Sequence, residues 1–86
     1  MASSSERDFI ARQQVIRQAM LGVLYEKRKA GQSGFSRDLT HTLGHDPQEC
    51  VFALEFLVEM GLIRHESIHC RITAQGITYF EQGESA

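Results

Sequence analysis

The sequence predicts a mainly α-helical domain with a small antiparallel β-hairpin, in the order α-α-α-β-β-α. Three observations predict it. Apolar residues recur at a helical period through the first thirty positions. A second apolar stretch opens on Asp46-Pro47 and stops at Gly61, the punctuation of a capped helix. After Gly61 the period changes from 3.6 to 2 and then returns to a helical pattern after Thr73.

In the first helix, Ser5 is the expected N-cap, with Glu6 and Asp8 in the first turn, where the helix dipole favours acids. Lys27, Arg28 and Lys29 supply the opposite charge at the far end, before Gly31. Phe9, Ile16, Met20, Val23 and Leu24 fall on one face, which makes the helix amphipathic. Ile10, Leu21 and Tyr25 form a second apolar flank, and an unused flank of this kind predicts a homodimer.

GQSGF reads as a loop, and Ser36 as the cap of a short helix RDLTHTL that ends at Gly44. Asp46 then caps a helix with Pro47 at its first position, where a missing N–H costs nothing, and Glu49 three residues past the cap. On this helix Cys50, Val51, Leu54, Leu57, Val58 and Gly61 are expected to face inward. Gln48, Glu49, Phe52, Glu55, Phe56 and Glu59 are left outward. Two short strands follow, with a turn near Glu66 and Ser67, and with Ile68, Cys70 and Ile72 alternating against His69 and Arg71. Thr73 can cap the last helix, AQGITYFEQ, which brings Ile77 and Phe80 to the core.

Eighty-six residues, 42% apolar, with a single proline, suffice for one small domain. It is expected over residues 6–82, with 1–5 and 83–86 as flexible tails. Residues 1–45 hold seven Lys or Arg against four acids, and residues 46–86 hold two against seven, so the net charge of −2 is polarised. That balance argues against general adhesion to a polyanion but leaves room for a local basic patch. No apolar run reaches the roughly 18 residues that cross a bilayer, and no signal-like segment opens the chain, so a cytoplasmic protein with no membrane partner is expected. Cys50 and Cys70 fit no metal or redox spacing and read as small buried apolar residues.

LEFLVEMGLI at 54–63 and ITAQGITYF at 72–80, in this order of elements, resemble the winged helix-turn-helix superfamily, above all small bacterial and phage regulators of the MarR, ArsR and PadR kind. The likeness covers residues 9–82 and rests on packing positions: Leu54, Leu57 and Leu62 for the core, Gly61 for the turn. It implies a DNA-binding transcriptional regulator. The helix that begins at Pro47 would enter the major groove, residues 36–43 would cross the backbone, and the 62–72 hairpin would touch phosphate or the minor groove.

Carried over residue by residue, the implied nucleic-acid set is Ser36, Arg37, His41, Gln48, Arg64, His65, His69 and Arg71, with Lys27, Arg28 and Lys29 also placed to meet phosphate. Of the outward residues on the helix from Pro47, only Gln48 is a conventional reader of base edges. Glu49 would bring an anion near phosphates, and Phe52 and Phe56 suit protein better than DNA. Two readings therefore stand. One is a DNA-binding regulator that works mainly through backbone contacts. The other is a protein-interaction module whose partner or dimer surface comprises Ile10, Leu21, Tyr25, Phe52 and Phe56.

Catalytic chemistry has no motif to rest on: there is no Ser/His/Asp arrangement, no Gly-rich phosphate loop and no recognisable carboxylate pair. His41, His45, His65, His69 and Cys70 match no zinc spacing, so neither a metal nor a cofactor is expected.

Overall fold

The computed structural model describes residues 4–85. In it a long helix α1 (Ser4–Lys29) leads to a two-residue strand β1 (Gly34–Phe35) and a short helix α2 (Ser36–His41). Helix α3 (Pro47–Glu59), strands β2 (Ile63–Glu66) and β3 (His69–Ile72), and helix α4 (Ala74–Ser85) follow. The predicted class, mainly helical with a small antiparallel sheet, is the class observed.

Helix α3 is bounded as its sequence dictates. Asp46 Oδ1 accepts the N–H groups of Gln48 at 2.8 Å and Glu49 at 3.3 Å, satisfying two donors that the first turn cannot pair internally. At the other end Gly61 adopts φ +76°, Leu62 N–H bonds Leu57 O at 2.9 Å, and Gly61 N–H bonds Val58 O at 3.0 Å. This pair of bonds is the Schellman closure, which needs a left-handed residue at the glycine position.

Thr73 joins the end of α3 to the start of α4. Its Oγ1 accepts Gly76 N–H at 3.0 Å, the expected N-cap bond, and donates toward Gly61 O at 2.6 Å. The packing here is close. A methyl group on Gly76 would run into the carbonyl oxygen of Leu62 and come within 2.8 Å of Ile72 Cγ1, so only glycine lets α4 sit this near β2 and β3.

The sheet has three strands in the order β1-β3-β2, all antiparallel. Ile63 faces Ile72, Arg64 faces Arg71, His65 faces Cys70 and Glu66 faces His69 across the hairpin. Ser67, at φ +55°, and Ile68 make the two-residue turn. Because side chains alternate, Ile63, Cys70 and Ile72 point to the core, while Arg64, Glu66, His69 and Arg71 share the outer face. One core lies between α1, α2, α3 and the sheet, built from Ile16, Met20, Leu21, Leu24, Leu39, Cys50, Ala53, Leu54, Leu57, Leu62, Ile63, Cys70 and Ile72.

Several expectations are corrected. Strand β1, which the sequence predicts as loop, pairs with β3 through Gly34–Cys70 and Phe35–His69. Helix α1 already contains Ser4 and Ser5, so Ser5 is not its cap, and α4 runs on through Gly83 to Ser85. Of the two expected tails, residues 1–3 and 86 lie outside the described residues. Ser36 is the first residue of α2 rather than its cap: Phe35 holds the cap position without a side-chain bond, and the helix ends at His41. Val23, Val51 and Ile68 are exposed, not inward, and small Ala53 is buried on α3.

Candidate functional site

The eight residues expected to meet nucleic acid do not form one surface. Ser36, Arg37 and His41 of α2 line a groove of about 300 Å³ with Val51 and Glu55 of α3 and His65 of β2. Arg64, His69 and Arg71 stand on the outer face of the sheet, where they line a separate cleft of about 510 Å³ with Glu66, Ser67 and the 31–33 loop. Ser33 Oγ lies 3.2 Å from His69 Nδ1, and the Phe35 ring lies 5.1 Å from the His69 ring, so His69 is held against β1. Gln48 is exposed at the start of α3 and lines neither.

The exposed face of α3 consists of Gln48, Val51, Phe52, Glu55 and Glu59, at the spacing of one helical stripe. It carries two carboxylates and no cation. Glu49, expected to face outward, is half-buried instead: its Oε1 accepts from Arg12 Nε of α1 at 2.9 Å. Phe56 also turns aside to α1, where Arg17 lies over its ring with the guanidinium carbon 4.0 Å from the centroid.

Phe52 remains as the aromatic that α3 presents to solvent, 55% exposed. Phe9 of α1 meets it edge to face with ring centroids 5.2 Å apart, and Ile10, 53% exposed, continues the apolar surface. These three, with Glu6, Gln13 and Arg17, line a cleft of about 390 Å³ between the two helices. Beneath it Gln13 is buried and donates Nε2 to Glu49 O at 2.9 Å, while Gln13 Oε1 and Arg17 Nε are buried without a hydrogen-bond partner. The seam between α1 and α3 is thus polar below and apolar at its mouth.

The flank that predicted a homodimer is split. Leu21 is fully buried, so it lines no open surface. Tyr25 is half-buried, its ring 4.9 Å from Phe80 of α4 and its hydroxyl donating to Glu81 Oε2 at 2.7 Å, which raises the phenol above its ordinary pKa. Helix α4 packs on Tyr25, Leu21 lies in the core, and of that flank Ile10 alone stays exposed. Phe9, expected in the core, is half-buried and joins the lining of the cleft between α1 and α3. Its spacing from Ile16 and Met20 matches the core face, but it lies two turns before Ile16 along α1 and outside the buried core cluster.

Both cysteines are buried free thiols, as their spacing suggested. Burial pushes Cys70 up to about 11, and burial, with the nearby acids Asp46 and Glu49 adding to it, raises Cys50. They act as apolar packing groups. No group of three or more His, Cys, Asp or Glu able to hold a metal occurs among the described residues, and no helix among them is long and apolar enough to cross a membrane.

The class that the architecture defines is a small, mainly helical α+β domain whose exposed third-helix face is acidic and aromatic and whose outer sheet face is basic. In comparison with known proteins, no family model, curated protein or solved structure matches the chain.

Proposed function

We propose that the chain is a winged-helix protein-interaction module: the third-helix surface that resembles a DNA reader docks a protein partner instead. The observation that carries this reading is the surface of Phe52, Phe9 and Ile10 beside Glu55 and Glu59. The exposed side chains of Phe52 and Ile10 each gain on the order of 1.5–3 kcal/mol on full burial, with a smaller gain left for half-buried Phe9, and a groove of hydrated phosphates does not supply it. A helix entering the major groove would also bring Glu55 and Glu59 toward two rails of phosphate with no cation on the same stripe. The complementary partner is a protein surface with an apolar pocket for Phe52 and basic groups at its rim.

A second reading, DNA binding through backbone contacts, is favoured by one observation: Ser36, Arg37, His41 and His65 converge on the groove between α2 and α3. Glu55 stands in the same groove and opposes it.

Mobility-shift titration of a duplex of about 20 base pairs at low salt separates the two. The docking reading expects no shift up to ~100 μM, the weak end of ordinary nonspecific binding. A saturable shift at lower concentration that Arg37→Gln abolishes establishes the second reading and sinks the first.

A further inference from the structure

The outer face of the sheet holds a basic feature that protein docking on α3 does not use. Arg64 and Arg71 are direct cross-strand partners, so two guanidinium groups leave the same sheet face side by side, an arrangement in which like charges repel. Arg28 reaches from the last turn of α1 and donates Nη1 to Ile72 O at 2.8 Å, which fixes its guanidinium at the same corner with its remaining N–H donors unassigned by that bond. With Ile72, Thr73 and Ala74 these three arginines line a cleft of about 280 Å³.

Little within the chain neutralises this charge. Glu66 Oε1 lies 3.6 Å from Arg64 Nε, but both side chains are well exposed, and ion pairs in water of that kind are weak. The Arg71 guanidinium has no hydrogen-bond or ion-pair partner among the described residues. The opening turn of α4, a helix of 12 residues, borders the cleft at Thr73 and Ala74 with no acid of its own, so its dipole adds to the positive potential.

We propose that this cleft binds a small phosphate-class oxyanion from solution. Guanidinium forks match tetrahedral oxyanions through paired N–H···O bonds, and three of them from three elements suit a dianion better than a carboxylate. The volume is below the roughly 300–1,000 Å³ of pockets that hold drug-sized organic molecules, so the site fits a compact head group. Helix α3 contributes no residue to it, and Arg64 and Arg71 lie on the face of the sheet turned away from the core. A protein docked on α3 therefore leaves the cleft open, and the proposal stands independently of that docking.

The test is heteronuclear NMR of the full chain titrated with inorganic phosphate, with chloride holding ionic strength constant. Saturable shifts at Arg71 to Gln75, with an affinity of ~1 mM or tighter, are expected. Arg71→Gln and Arg64→Gln, both at exposed positions, should each weaken binding by about tenfold or more, whereas Arg37→Gln should leave it unchanged. Shifts that do not saturate, or that all three variants reduce alike, reduce the site to nonspecific attraction and overturn the proposal. A duplex of about 20 base pairs that displaces phosphate from the same amides also overturns it, since the cleft would then be a nucleic-acid contact. Loss of the cleft leaves the docking surface at Phe52 untouched, and loss of docking leaves the cleft.

Discussion

Arg17 lies over the ring of Phe56 with its guanidinium carbon 4.0 Å from the centroid, and this contact decides which aromatic of α3 belongs to the fold and which to the surface. Phe56 is half-buried against the core, while Phe52, one turn earlier, is exposed and meets the edge of Phe9. Their variants should differ accordingly. Phe56→Ala removes packing and the cation contact and is expected to cost about 2–3 kcal/mol, whereas Phe52→Ser should cost about 1 kcal/mol or less. Urea unfolding of the two variants checks this, and equal losses would contradict the assignment.

Gly76 is expected to tolerate no side chain. Gly76→Ala places a methyl against the Leu62 carbonyl and Ile72, so destabilisation of about 2 kcal/mol or more should follow despite alanine's better helix propensity. Gly22→Ala on α1 meets only the Phe80 ring at 3.4 Å and should range from neutral to about 1 kcal/mol stabilising. Thermal melts of the pair distinguish close approach from a general cost of losing glycine.

Thr73→Val should separate the elements that its hydroxyl joins. The variant keeps the shape and loses the bonds to Gly76 N–H and the carbonyl at the end of α3, for an expected cost of about 1–2 kcal/mol. Hydrogen exchange should quicken first at the Gly76 amide. Unchanged exchange there would show that the cap contributes little.

Cys70 makes stability fall at alkaline pH. Its thiol is raised from 9.0 to about 11 in the fold by burial, so the unfolded chain gives up its proton first. The contribution is fully present below pH 9 and is lost as pH rises through about 11. Cys70→Ala should flatten this limb in denaturation curves recorded across that window, and a limb that persists unaltered would assign it to other groups.

The bounds of α3 and the core face of β3 were legible because each is written in local chemistry: a capping aspartate, a proline at the first position, a left-handed glycine, alternating Cys70 and Ile72. Strand β1 was not, since its two residues join the sheet through backbone bonds and carry no apolar alternation. Val51, expected inward from its place on the helical stripe, is exposed, and close packing at the centre of the fold takes the small Ala53 instead. The burial of Leu21 and the packing of Tyr25 on Phe80 of α4 depend on tertiary structure, and the grouping of Arg28, Arg64 and Arg71 depends on strand register. Neither is a property of neighbouring letters.

The most direct test of the docking surface replaces Phe52 with the photo-crosslinking analogue p-benzoylphenylalanine in the native host. Discrete protein adducts at this position, lost when Glu55→Lys and Glu59→Lys reverse the charge of the stripe, are the result expected of a protein-docking face. Adducts to nucleic acid at position 52, or no protein adduct there that depends on those carboxylates, would contradict it.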